Sequence, residues 1–422
     1  MSLEFSDYTT LRVQKSRLEG RVAISGAKNA ALKMLAASLL TDGEVHLSNS
    51  PNRLTDMKIH TEMLRRLGKK CEVFEETLII REEEGIGSEL VWDGPSIRNT
   101  LLILGAILSR TGYARIPIPG GCSLGDRKYD LHVMILEAMG ATIREEDGYL
   151  VGEAASGLNG ADIFLPIRST GATENGILAG CLAKGQTVVW GPHIRPEIID
   201  LIAFLRKMGA KITVNGQESI VIEGVEGLYG AVHSVIPDNM EAITYMIAAL
   251  VTGGEVELLN FPREHLEVPL IFLRESGARF FVGDNSLIAK AGHSYPIEIA
   301  TGPYPGINSD MQPLFAVFAL NAHGESRIVD LRFPDRYSYV AELEKMGGSF
   351  KVCNNILYVF GKATLKGAHV QALDLRCGAA LVIAGLVADG DTVISDAWQI
   401  SRGYENIDLK LQSLGCRVWR EM

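Results

Sequence analysis

A sixfold internal repeat restricts the fold of this chain more than any other feature. The pattern Leu-x-x-(Met/Leu/Ser)-Gly ends at Gly68, Gly140, Gly209, Gly277, Gly347 and Gly415. The period is roughly 70 residues, so one supersecondary unit is used six times. A second marker, a small loop followed by a β-rich run, lies about 25 residues before each glycine. Its six forms are DGEVHL, TGYARIPI, KGQTVVW, GGEVELL, HGESRIV and DGDTVIS.

Each loop follows a nearly all-apolar stretch such as AALKMLAASLL from Ala30 or ALVIAGLVA from Ala380. A helix apolar on every side is buried on every side, so these stretches predict central helices. The segments ending at the repeat glycines carry charges at helical spacing, as in IDLIAFLRKMG, and predict amphipathic outer helices stopped by glycine. Each unit is therefore expected to run buried helix, strand, amphipathic helix, strand. Three units per domain make an α/β fold of two inside-out domains, with helices in the centre and sheets outside. The expected domains are residues 28–235 and residues 1–27 joined to 236–422, with the active site in the cleft between them. A linear solenoid is the structural alternative, disfavoured by the long period. The 422 residues also exceed what one core supports.

Composition narrows the function. Charged residues make up 22% and apolar residues 47%, the balance of a chain that folds throughout. The formal net charge of -10 speaks against a nucleic-acid partner and requires local cations for any anionic ligand. Cys71, Cys122, Cys181, Cys353, Cys377 and Cys416 are scattered without CxxC spacing, suggesting neither a disulfide framework nor a zinc knuckle. No cleavable leader is expected, and the longest apolar run, Ala379–Ala388, is too short to span a bilayer. A reduced, cytoplasmic protein without a membrane partner is expected.

A polar, often cationic segment precedes or opens each buried helix: Lys28-Asn29, Arg98-Asn99, Ser169-Thr170-Gly171, Asp238-Asn239, Ser309-Asp310 and Asp374-x-Arg376. Helix N-termini attract anions. Capping accounts for Ser169, Asn29 and Asp310, but lysine and arginine oppose the dipole there. Lys28, Arg98 and Arg376 therefore point to an anion site. Cys122 sits in a glycine-rich loop, PGGCSLGDRKYDLH, amid Arg127, Lys128 and His132; neighbouring cations favour its thiolate.

Beyond this loop, SGAKNAAL from Ser25, STGATEN from Ser169, PEIIDL, TGPYPGINSDMQ from Thr301, DLR at Asp374–Arg376 and RGYE from Arg402 complete a resemblance to the UDP-N-acetylglucosamine 1-carboxyvinyltransferases, over essentially the full length. The resemblance implies two inside-out α/β domains of three repeats each. It implies transfer of the enolpyruvyl group of phosphoenolpyruvate to a UDP-N-acetylglucosamine hydroxyl, the first committed step of peptidoglycan precursor synthesis, with no cofactor. Lys28, Asn29, Arg127 and Arg402 would hold phosphoenolpyruvate. Arg98, the run Arg127, Lys128, Tyr129, Asp130 and Leu131, and Ser169, Thr170 and Gly171 would hold the nucleotide. Asp310 would take the hydroxyl proton. Cys122 would form a covalent adduct and serve as acid or in product release, on a loop acting as a lid. Arg336 and Arg376 would complete the charged site, with Arg332 beside the sugar. No HxH, HExxH, GxxxxGK(S/T) or GxGxxG spacing occurs, so the residues point to no metal or dinucleotide site.

Departures from the family pattern cluster on the acceptor side: Asp126, Lys128, Ile167, Arg195, Asn239 and Arg332. They raise the alternative of a paralogue acting on UMP or another uridine nucleotide; a catalytically silent regulatory paralogue is a separate alternative of another class. The related shikimate-pathway transferases lack the PGGC loop. RNA 3′-terminal phosphate cyclases rely on a histidine near the C-terminus, whereas the last histidine here is His369.

Overall fold

The computed structural model describes residues 10–95, 97–119 and 129–421. The chain divides into two compact units. One is Gly26–Ile236; the other joins the segment ending at Ser25 to the chain from Pro237 onward.

In the Gly26–Ile236 unit the inner helices are Lys28–Ala37, Thr100–Thr111 and Thr170–Cys181, buried along nearly their whole length. Each leads into a strand, Val45–Ser48, Tyr113–Pro117 or Gln186–Trp190. Each strand leads to an outer helix, Thr55–Arg66, Asp130–Ala138 or Pro196–Lys207. The glycines of the repeat adopt positive φ, 99° at Gly68, 92° at Gly140 and 102° at Gly209, the left-handed conformation that closes a helix. The leucine has a backbone role as well: the N–H after the glycine returns to its carbonyl, Ala141 to Leu136 at 3.0 Å and Ala210 to Leu205 at 2.9 Å. Leucine and glycine thus mark the two ends of one helix-stop motif, which is why they recur together.

The expected single strand after each outer helix is instead a hairpin: Lys69–Phe74 with Thr77–Glu82, Thr142–Glu146 with Tyr149–Glu153, and Lys211–Asn215 with Ser219–Glu223. Alternating residues on both sides of a tight turn allow this; Asp147 and Gly148, both at positive φ, form one such turn. Three separate sheets result, two of four strands and one of three.

The second unit repeats the plan. Its inner helices are Asn239–Thr252, Gln312–Leu320 and Leu375–Val387. Its outer helices are Glu267–Glu275, Tyr339–Lys345 and Ile407–Ser413. The same leucine carbonyls accept from Ala278, Gly348 and Cys416, and three four-stranded sheets flank one continuous apolar core. The last sheet borrows from the start of the chain: Thr10–Gln14 lies between Asp391–Ser395 and Val418–Glu421. A second long-range pairing sets Glu19–Ala23 parallel to Glu255–Leu259. In the first unit, Val232–Ser234 correspondingly lies parallel to Val45–Ser48. The strand preceding the first inner helix and the strand preceding the fourth have exchanged sheets.

Close helix packing makes Gly105 a sensitive point. A Cβ there would lie 1.9 Å from Asn175 Oδ1, and Asn175 is itself buried and bonded to His132. Gly105→Ala should lower the unfolding free energy in urea by about 1–3 kcal/mol, although alanine is the better helix former.

Candidate active site

The first residue of the first inner helix, Lys28, is buried and paired with Asp56 at 3.2 Å, with Asn29 beside it. Arg98 stands two residues before the second inner helix. Its neighbour Asn99 is a structural hub: the carboxamide donates to the Leu32 carbonyl and contacts His60 Nδ1, each at 2.9 Å, and accepts from Lys33 at 3.2 Å. Ser169 caps the third inner helix through Ala172 N–H. Thr170 Oγ1 bonds His193 Nδ1 at 2.8 Å. Gly171 is needed because a Cβ would meet His132 Nε2 at 3.0 Å. Burial drives both His60 and His132 down to about 3, with the Lys33 cation near each; both stay neutral at ordinary pH.

These contacts bring together the starts of all three inner helices, with Lys28, Asn29, Arg98, Ser169, Thr170 and Gly171 on one end of the unit. Asp130 and Leu131 begin an outer helix. The Tyr129 hydroxyl is engaged by Glu145, which pushes it up to about 12. Cys122, Asp126, Arg127 and Lys128 lie outside the described residues, as does the loop expected to act as a lid.

In the second unit Asp310 is clamped by two guanidinium groups, Arg336 Nη1 at 2.9 Å and Arg376 Nε at 3.3 Å. Arg336 also donates to Ser309 Oγ at 2.9 Å. Arg376, only 2% exposed, lies 5.4 Å from the Tyr404 ring. Burial opposes its charge, but Tyr404, Asp310 and Asp238 outweigh it, and its pKa is raised. Behind them the fully buried Asp330 accepts from Thr301 at 2.8 Å and from the backbone of Arg332 and Phe333 at 2.9 Å. Arg402, at the end of a short 3-10 helix, donates to Gln399 at 3.1 Å. Arg332 is exposed, its guanidinium 5.4 Å from the Phe333 ring.

Capping works differently from the expectation at two positions. Asn29 lies inside the first helix, whose cap position is Ala27. The cap before Asp310 is Asn308, which accepts from the Asp310 N–H; the Asp310 carboxylate is taken by arginines. Asp238 and Asp374 are the side-chain caps of their helices.

A family model described as EPSP synthase (3-phosphoshikimate 1-carboxyvinyltransferase) matches residues 13–411. A protein named UDP-N-acetylglucosamine 1-carboxyvinyltransferase 2 from Carboxydothermus hydrogenoformans is 42% identical, over 96% of this chain and 97% of that protein. The chain belongs to this family, on the side of the UDP-N-acetylglucosamine 1-carboxyvinyltransferases. Another such relative, from Gluconacetobacter diazotrophicus, is 39% identical over 96% of this chain and 97% of its own length. Among solved structures, the enolpyruvyl transferase NikO from Streptomyces tendae matches with a TM-score of 0.88 at 25% identity, covering 97% of this chain and 98% of that one. EPSP synthase from Acinetobacter baumannii shares the fold, with a TM-score of 0.75 at 19% identity over 98% of this chain and all of that one.

Family membership gives the inside-out α/β fold its place, yet some polar residues of the candidate site escape motif reading. Lys33 lies in a run read as nearly all-apolar, and Glu174 in a motif noted only for its resemblance. Lys33 Nζ is 3.6 Å from Glu174 Oε2, while Arg195 grips Glu197 with two bonds of 2.7 Å. A lysine inside an apolar helix was the available signal, because a buried cation requires a partner. Among the described residues, no group of three or more histidines, cysteines or carboxylates is placed to hold a metal ion. No described helix is long and apolar enough to cross a membrane.

Proposed function

We infer that the chain transfers the enolpyruvyl group of phosphoenolpyruvate to the 3′-hydroxyl of UDP-N-acetylglucosamine and releases phosphate. The near-full-length identity to the Carboxydothermus relative carries this reading, and the charged residues of both units fit its chemistry. The hydroxyl oxygen adds to C2 of phosphoenolpyruvate while a proton adds to C3. The tetrahedral adduct then loses phosphate from C2 and a proton from C3, restoring the double bond. Asp310 takes the hydroxyl proton. Lys28, Asn29, Arg127 and Arg402 hold phosphoenolpyruvate, and Arg336 and Arg376 keep the site cationic as charge develops. Arg98, the segment Arg127–Leu131 and Ser169–Gly171 hold the nucleotide, Arg332 lies by the sugar, and Cys122 forms a covalent adduct with phosphoenolpyruvate and serves as the acid or in product release. The two compact units serve as the two halves of the enzyme, working in the cytoplasm at the entry to peptidoglycan precursor synthesis.

A second acceptor is favoured by specific residues. The exposed Ile167 is an apolar residue where the family pattern commonly has a nucleotide-side lysine, leaving Arg168 as the cation next to Ser169, and Arg195 is bound to Glu197. Phosphate release from phosphoenolpyruvate, measured with UDP-N-acetylglucosamine, UDP-glucose and UMP in parallel, separates the readings. Turnover with UDP-N-acetylglucosamine at least tenfold above the others is the expected result. Preference for UMP moves the acceptor to another uridine nucleotide and leaves the chemistry in place. Silence with all three indicates a regulatory paralogue.

A further inference from the structure

Glu174 is the buried group whose surroundings the reaction chemistry leaves unexplained. It lies on the third inner helix, 2% exposed. Oε2 is 3.6 Å from Lys33 Nζ on the first inner helix, while Oε1 has no hydrogen-bond partner. A carboxylate with one oxygen unpaired in an apolar interior is costly to keep ionised. Burial accordingly lifts Glu174 to about 7, against the opposing pull of Lys33 and Arg195; Glu197 pushes it up further.

Its position in the chain gives this balance a use. Glu174 follows Ser169–Gly171 by three to five residues, about 5–8 Å along the helix. Its partner Lys33 also holds Asn99, the neighbour of Arg98. The charged groups that act on it are Lys33 from the first inner helix and Arg195 and Glu197 at the third outer helix; Lys33 in turn lies near His60 and His132 of the first two outer helices, and Arg98 near His132. His132 and His60 are neutral, as described above. The carboxyl is therefore poised among cations directly behind the residues assigned to the nucleotide.

We propose that Glu174 takes up a proton when the nucleotide diphosphate binds, so that the Lys33 charge, released from its carboxylate partner, strengthens the hold on the diphosphate. Glu174 is on this account a positioning residue and touches no substrate. The proposal rests on the nucleotide assignment under Proposed function. The sign follows from electrostatics: a negative ligand disfavours a nearby carboxylate and raises its proton affinity. At an effective dielectric of about 20, a unit charge within about 8 Å does so by about tenfold or more. Above pH 7 the unliganded carboxyl is mainly ionised and can accept a proton; well below pH 7 it already carries one and uptake ceases.

Titration calorimetry of the whole chain with UDP-N-acetylglucosamine or UDP-glucose tests this. Neither ligand has a phosphate group that titrates near neutrality. Binding heats in buffers of different ionisation enthalpy give the number of protons exchanged. The expected result is uptake of roughly half a proton or more per nucleotide at pH 7.5, falling towards zero at pH 5.5. That uptake should disappear in Glu174→Gln, whose affinity should also vary less with pH. Lys33→Met/Glu174→Gln, which removes both charges together, replaces the single variant if that one does not fold. Nucleotide binding without proton uptake, or unchanged uptake in a variant that still binds, overturns the proposal and leaves the acceptor reading intact. Absence of binding by both UDP-sugars overturns the two together.

Discussion

Asp310→Asn is expected to leave the chain folded and to lower the turnover of phosphoenolpyruvate with UDP-N-acetylglucosamine by about 10²- to 10⁴-fold, the usual contribution of a general base. The substitution keeps the shape of the side chain, and of Arg336 and Arg376, now 2.9 and 3.3 Å from its two oxygens, one can still donate to the amide oxygen while the other loses its acceptor. It removes the basic oxygen and the negative charge between them. The loss should fall on kcat, with the KM for the nucleotide changed by less than about fivefold, because the missing interaction belongs to the transition state. Steady-state phosphate release and a thermal melt on the same preparation check this. Turnover within about threefold of the parent would show that Asp310 only holds its arginines in place.

The second large effect is on stability. Glu82 receives Lys69 at 2.7 Å and Arg110 through two bonds of 2.7 and 2.9 Å. Lys69 is 1% exposed and Glu82 5% by side chain. Lys69 also donates to the Thr41 carbonyl at 2.6 Å, and Arg110 reaches the Leu39 and Thr41 carbonyls. The triad ties the loop after the first inner helix to the second inner helix and to the adjoining hairpin. Glu82→Ala strands the Lys69 cation, whose pKa burial already lowers, and should cost about 3–5 kcal/mol of unfolding free energy in urea. Replacing both charges, as Glu82→Leu/Lys69→Met, should recover most of that loss, since the desolvation of the pair disappears with it. A double variant as unstable as the single one would place the energy in Arg110 instead.

The helices were legible because their two signals are independent of distant contacts. All-round apolarity marks the inner ones, and the leucine and glycine of the repeat mark the stop of each outer one. The hairpins were written as plainly in Asp147-Gly148 and Asn354-Asn355, all four at positive φ, but a search for one strand per unit passes over them. The exchange of Glu19–Ala23 and Val232–Ser234 has no local signature. Each is a short run able to join either sheet, and only long-range pairing decides between them. In the candidate site, cations at helix starts stand out by opposing the dipole, so Lys28, Arg98 and Arg376 could be named as candidates from the sequence. Lys33, Glu174 and Asp330 could not. Lys33 and Glu174 matter because they meet between the first and third inner helices, and Asp330 because its carboxylate is buried among donors of its own unit; neither contact follows from periodicity.

The exchanged strands also order events on the ribosome. The Gly26–Ile236 unit possesses every sheet partner it uses once Ser234 has emerged. Glu19–Ala23, made earlier, must wait for Glu255–Leu259, and Thr10–Gln14 waits for Asp391–Ser395 and the closing Val418–Glu421. The part of the chain born first is therefore the last to be seated. A nascent chain stalled before Asp391–Ser395 carries a complete first unit behind a Thr10–Gln14 segment that has no strand partner yet, an open strand edge of the kind chaperones shield.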